Sequence, residues 1–263
     1  MALPFHVIDA FTGEPFSGNP AGVVLLDGPR PDSWMQAVAR EVNHAETAFL
    51  LREGAGYRLR WFTPAVEVDL CGHATLASAH FLWDTGSLGR NQEARFQTRS
   101  GELRASPNGD WIALDFPATP PEPCNQPEGL LQALGLSEGE IRRTRFDYLV
   151  VMADPGGLRR LSPDLRALRE FPVRGVIVTA PSDHPEADFL SRFFGPQSGV
   201  DEDPVTGSAH CALAPFWAGR LGRNGLVGYQ ASSRGGYVKV EANGERVRLS
   251  GQAVTTIRGT LAV

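Results

Sequence analysis

Apolar residues along this chain fall in short runs, alternating or continuous, punctuated by Gly, Pro, Asn and Asp, a pattern that predicts many strands and few helices. PFHVIDAF and AGVVLLDG read as strands joined by the turn-rich TGEPFSGNP. ETAFLLREG and YRLRWFTP follow as two more, with Gly54 and Gly56 at their turn, and the alternation around ARFQTRSGELRASPNGDWIALDFP gives further strands. Helical spacing marks PDSWMQAVAREVN, where Trp34, Val38 and Val42 share a face and Asp32 or Ser33 can cap the start. The Pro-rich ATPPEPCNQP reads as a linker. Beyond it come a helix in EGLLQALG, the strand DYLVVMA, a capped helix in SPDLRALREF and the strand RGVIVTAP. GGYVKVEANGERVRLSG alternates like a hairpin turning at Asn243-Gly244, and VTTIRGTLAV closes the chain as strand.

Two segments repeat. FTPAVEVDLCGHATLASAHFLW from Phe62 is echoed by FGPQSGVDEDPVTGSAHCALAPFW from Phe194. Aligning Gly72 with Gly207 also sets Ala74 on Ala209, Ala77 on Ala212, Ala79 on Ala214 and Phe81 on Phe216. A repeat at so long a spacing implies two copies of one domain, residues 1–118 and 119–263. Each copy carries one helix rich in Ala, Ser and Gly, whose small side chains allow a curled sheet to close around it. The first is expected to stop at Gly86. Pro215 inside the second is expected to kink it or end its regular part. Two such helix starts facing one another would form an anion site.

Composition narrows the classes. The 263 residues carry a formal net charge of -5, which gives nucleic-acid binding no electrostatic support. No apolar run is long enough for a membrane span, and MALPFHVIDAF lacks the marks of a signal peptide. Three scattered cysteines, Cys71, Cys124 and Cys211, fit a reduced, cytoplasmic setting. Lys239 is the one lysine, placed on a solvent-washed hairpin, so Schiff-base chemistry is not expected.

The common catalytic signatures are missing: no G-x-S-x-G, P-loop, H-E-x-x-H or G-x-G-x-x-G. His44-Ala45-Glu46 matches half of a zinc-deaminase signature without its P-C-x-x-C half, so no metal is expected. What remains are polar residues at element starts. His73 lies in the first turn of a helix, whose positive end disfavours imidazolium, while Glu67 and Asp69 upstream act the other way; a His that merely satisfies a local hydrogen bond fits equally. Asp203 before Pro204 reads first as a helix N-cap, with Ser208 one turn on, although Asp201 and Glu202 give more acid than a cap needs. Glu46 stands at a strand start with apolar flanks, where partial burial would raise its pKa. Asn19, in the Gly18-Asn19-Pro20 turn, offers a donor and an acceptor.

FTGEPFSGNPAGVV, NHAETAFL, CGHATLASA, DEDPVTGSAH and GQAVTTIRGTL together resemble, in order and across almost the whole chain, the PhzF family, named for a phenazine-biosynthesis isomerase. The resemblance implies an α+β fold of the diaminopimelate-epimerase type, with two pseudo-symmetric domains, each a curled mixed sheet around a central helix, and the site in the cleft between. It implies that Glu46 moves a proton between carbons, with His73, Asp203 and Ser208 as polar companions and Asn19 near the substrate. Backbone N–H groups of Gly72, His73, Gly207 and Ser208 would hold a substrate carboxylate. The implied activity is a cofactor-independent isomerisation of a small carboxylic acid, of dihydrohydroxyanthranilate type, in a family where homodimers are common. Related epimerases use two opposed thiols; here Cys71 fills the first slot but Thr206 stands at its repeat partner, which disfavours a racemase. The remaining alternative is a non-catalytic member that binds a metabolite or a protein.

Overall fold

The predicted strands form, and the computed structural model, which describes residues 2–262, gathers the chain into two units. The first holds the chain up to Asp115 together with the segment from Ser250 onward, and the second runs Phe116–Leu249. In the first unit the strands are β1 (Leu3–Ala10), β2 (Asn19–Leu26), β3 (Glu46–Glu53), β4 (Gly56–Phe62), β5 (Glu67–Val68), β6 (Ala94–Thr98), β7 (Gly101–Asn108) and β8 (Trp111–Pro117). Helix α1 is Asp32–Val42 and α2 is Gly72–Asp84. The strand order is built from antiparallel β1–β2, parallel β2–β3, antiparallel β3–β4, parallel β4–β6 and antiparallel β6–β7–β8.

The second unit repeats that sequence of orientations. Its strands are β9 (Glu122–Pro123), β10 (Glu140–Arg143), β11 (Asp147–Val151), β12 (Gly175–Pro181), β13 (Phe189–Gly195), β14 (Val200–Asp203), β15 (Gly225–Gln230), β16 (Gly236–Asn243) and β17 (Arg246–Gly251). Its helices are α3 (Leu130–Leu134), α4 (Pro155–Arg160), α5 (Leu165–Leu168) and α6 (Gly207–Leu221). β10–β11 are antiparallel, β11–β12 parallel, β12–β13 antiparallel, β13–β15 parallel and β15–β16 antiparallel. The duplication read from two short motifs therefore extends to the order of the sheets.

In both units the small-residue helix is buried nearly all round, as a central helix must be. In α2, His73 to Ala79 are all buried; in α6, Ala209 to Ala214 are. A separate layer forms where Met35, Val38 and Ala39 of α1 pack on Val24, Phe49 and Phe62, each large side chain contributing about 1.5–3 kcal/mol by leaving water.

Several local expectations change. The division falls after Asp115, and the last strand, Ala253–Leu261, returns to the first unit instead of staying in residues 119–263, because it pairs antiparallel with β1. Helix α1 is preceded by Pro31 at its N-cap, and Asp32 turns its carboxylate to Arg60 at 2.8 Å instead of capping. Helix α6 begins at Gly207 with Thr206 as N-cap, so Asp203 ends a strand and Pro204 is not helical. Pro215 does not stop α6, which continues to Leu221. A proline at this position leaves the carbonyl four residues back without its helical donor. That carbonyl, Cys211 O, accepts the backbone N–H of Thr119 at 3.1 Å, so the linker supplies the missing bond.

Candidate active site

In the first unit, β2, β3 and α2 bring Asn19, Glu46 and His73 together. Asn19 opens β2 directly after Gly18, whose φ of 63° is left-handed; a side chain there would meet Ala10 O at 2.2 Å. Glu46 opens β3, opposite Ala21 in the parallel ladder. His73 is the second residue of α2, reached from Cys71 at the N-cap.

The contacts fix the imidazole. Asn19 Nδ2 lies 3.2 Å from His73 Nδ1, and an amide nitrogen can only donate, so Nδ1 accepts and Nε2 carries the hydrogen. Glu46 Oε2 lies 3.2 Å from that Nε2, close but off the line of an aligned hydrogen bond. Burial, with a smaller contribution from the nearby His44, drops the His73 pKa to about 3. The ring is therefore neutral at pH 7, and the approach to Glu46 is not an ion pair. The upstream acids do not reverse this: Glu67 is clamped by both Arg60, at 2.6 and 2.7 Å, and Arg99, at 2.6 Å. Cys71 Sγ, buried and not in a disulfide, sits 3.5 Å from Nδ1. Glu46, Cys71 and His73 offer ligand atoms within 4.8 Å of one another, the donor types of a soft divalent-metal site.

In the second unit the companion residues are held differently. Asp203 Oδ2 accepts the Thr206 hydroxyl at 2.6 Å. The fully buried Gln230 ties the same turn, donating to Asp203 O at 2.7 Å and accepting Thr206 N at 2.9 Å. His210, one turn into α6, faces Thr206 O through Nδ1 at 2.8 Å, and burial lowers its pKa to about 4. Ser208, second in the helix, receives a hydrogen bond from Arg174 Nη1 at 2.9 Å.

The predicted residues thus form two sets: Asn19, Glu46, Gly72 and His73 in the first unit, and Asp203, Gly207 and Ser208 in the second. Sequence reasoning missed Gln230 and Arg174, which hold the second set. Neither lies in a recognisable motif, and each meets its partners from more than twenty residues away.

The sheet-wrapped helices define a fold shared with epimerases: a hydroxyproline epimerase from Agrobacterium vitis matches with a TM-score of 0.65 over 100% of this chain and 93% of its own, at 12% identity, a likeness of fold alone. The family model for phenazine biosynthesis-like (PhzC-PhzF) proteins matches residues 8–259, and the chain belongs to that family. An uncharacterized isomerase of Halalkalibacterium halodurans is 50% identical over 262 residues, covering 99% of both chains. A PhzF-family crystal structure from Enterococcus faecalis superposes with a TM-score of 0.95 at 40% identity, covering 100% of each. With such relatives the protein is an isomerase of the PhzF family. Among the described residues, no helix is long and apolar enough to cross a membrane.

Proposed function

We propose that this isomerase works without a cofactor, moving a proton between carbons of a small carboxylic acid of dihydrohydroxyanthranilate type, with Glu46 as the acid-base group. The observation that carries this reading is the chain of contacts Asn19–His73–Glu46. A neutral ring stands 3.2 Å from the carboxylate without placing a positive charge beside it, which would depress its basicity. Glu46 takes a proton from one carbon; the C–H electron pair forms a new double bond to the adjacent carbon, and the π pair of the old double bond moves to its far carbon, which takes the proton back. Asp203 orients the substrate or relays protons. The amides opening α2, at Gly72 and His73, meet no N-cap side-chain bond and carry the positive end of the dipole, which favours an anion there. The same holds, by itself, for Gly207 and Ser208 at the start of α6.

A panel of small unsaturated carboxylic acids incubated in deuterated solvent tests this reading. The wild-type chain should label one of them, Glu46→Gln should abolish the labelling, and chelator treatment should leave it intact. Retained exchange in Glu46→Gln overturns the assignment. An epimerase reading keeps one observation, the Cys71 thiol beside His73. Its repeat counterpart Thr206 has no thiol, and Cys211 lies further into α6, against Gly207 O. Alkylation of Cys71 that leaves turnover intact would remove that reading.

A further inference from the structure

Arg174 is gripped by several partners although no motif announces it. Its guanidinium lies over the rings of Phe146 and Phe193, 5.4 Å from each centroid. Its Nε and Nη2 grip both oxygens of Asp147 at 2.9 and 2.5 Å. Asp147 is 2% exposed, and burial pushes its pKa up against the pull of the guanidinium. The neighbouring Gly175 lets the Phe193 ring approach so closely that a Cβ would stand 2.4 Å from it. With the fork edge taken by Asp147, Nη1 points to one partner, the Ser208 hydroxyl oxygen.

That direction has a chemical consequence. Arginine has donors only, so Ser208 Oγ accepts from it and must turn its own hydrogen elsewhere. A hydroxyl accepting from a cation is also a polarised, stronger donor. We infer that Arg174, anchored by Asp147, is a positioning residue that makes the Ser208 hydroxyl a fixed donor toward a substrate carboxylate. The inference rests on the proposed role of Ser208 in the isomerase, and Arg174 acts through Ser208 without touching the substrate. Lysine cannot replace it: a point charge on a flexible stem cannot hold Asp147 with a fork and Ser208 with a third donor together.

Benzoate, a carboxylate that undergoes no proton shift, serves as the probe, its binding followed by calorimetry or by NMR. Wild type should bind it, and Ser208→Ala should bind about tenfold more weakly. Arg174→Lys should lose a similar factor, and the double variant should bind no worse than either single one. Multiplying losses, an Arg174→Lys chain with wild-type affinity, or a wild type that does not bind benzoate would each overturn the inference. Should Arg174→Lys fail to fold, Asp147→Asn loosens the anchor while keeping the guanidinium. Its loss of affinity should likewise disappear in the Ser208→Ala background, whereas a purely structural role would lower affinity in both. Because benzoate binding needs no turnover, failure here is separable from failure of the Glu46→Gln test.

Discussion

The starts of α2 and α6 share one plan and differ in the polar residues that follow the first glycine, His73 in one and Ser208 in the other. Both helices open on an extended N-cap followed by Gly, and both close the N-cap carbonyl with a side chain one turn on: Thr75 Oγ1 on Cys71 O at 2.5 Å, His210 Nδ1 facing Thr206 O at 2.8 Å. Past that shared frame the polar ring at the start of α2 is buried and uncharged. His73 is uncharged, set by an amide, and turned to a carboxylate. At the start of α6, Ser208 is half-buried and set by an arginine that an aspartate holds. An uncharged neighbour does not lower a carboxylate's basicity, whereas a hydroxyl that accepts from a cation is a stronger donor.

Four measurements would break or sharpen that contrast. The largest effect belongs to chemistry: Glu46→Gln should lower kcat by about 10²–10⁴-fold, the range of a lost general acid-base group, while Ser208→Ala should mainly raise KM. Equal kcat losses in both would erase the division of labour. Next comes stability. Asp147→Ala removes the charged hydrogen bonds that hold the partly exposed Arg174 and should cost about 2–3 kcal/mol in denaturant unfolding. Asn19→Ala, which removes one neutral hydrogen bond, should cost only about 1–2 kcal/mol.

Acid should then act on both starts alike. His73 and His210 are kept neutral by burial, with pKa values of about 3 and about 4 against 6.5 in the unfolded chain. Below pH 6.5 the unfolded chain binds more protons, so unfolding free energy should be constant above that pH and fall beneath it. The share from His210 should level near pH 4 and that from His73 near pH 3. Replacing either by Asn should flatten its part of a pH series of urea melts. The smallest effect is expected at Pro215→Ala. Removing a proline from a helix interior ordinarily gains about 3 kcal/mol, but Cys211 O already has Thr119 N, so the midpoint should move by less than about 1 kcal/mol.

Much of this was legible in the chain because it is local. Strand alternation, the helix periods and the paired Gly-polar-Ala starts each depend on neighbours in sequence, and they placed Glu46 at a strand start and His73 in a helix's first turn. What was not legible depends on distant partners. Asp203-Pro204 is a sound capping pair taken alone, yet Gln230, twenty-seven residues on, takes Asp203 O and Thr206 N and moves the helix start to Gly207. Asp32 would cap α1 but for Arg60. Arg174 reads as one arginine among many until the fold sets it between Asp147 and Ser208. The upstream acids made the charge of His73 ambiguous, and Glu67 is clamped by Arg60 from the neighbouring strand and by Arg99 from a turn more than thirty residues on.

The return of Ala253–Leu261 to pair with β1 bears on how the molecule is made. Gly251 lies against Phe11 and Leu76, so the end of the chain also closes the wall behind α2. During synthesis Phe116–Leu249 emerges as an uninterrupted length of chain and can complete its sheet while the first unit still waits for its outermost strand. The unit that holds Glu46 and His73 is thus finished after the other, and acquires its settled form only once Ala253–Leu261 has been made.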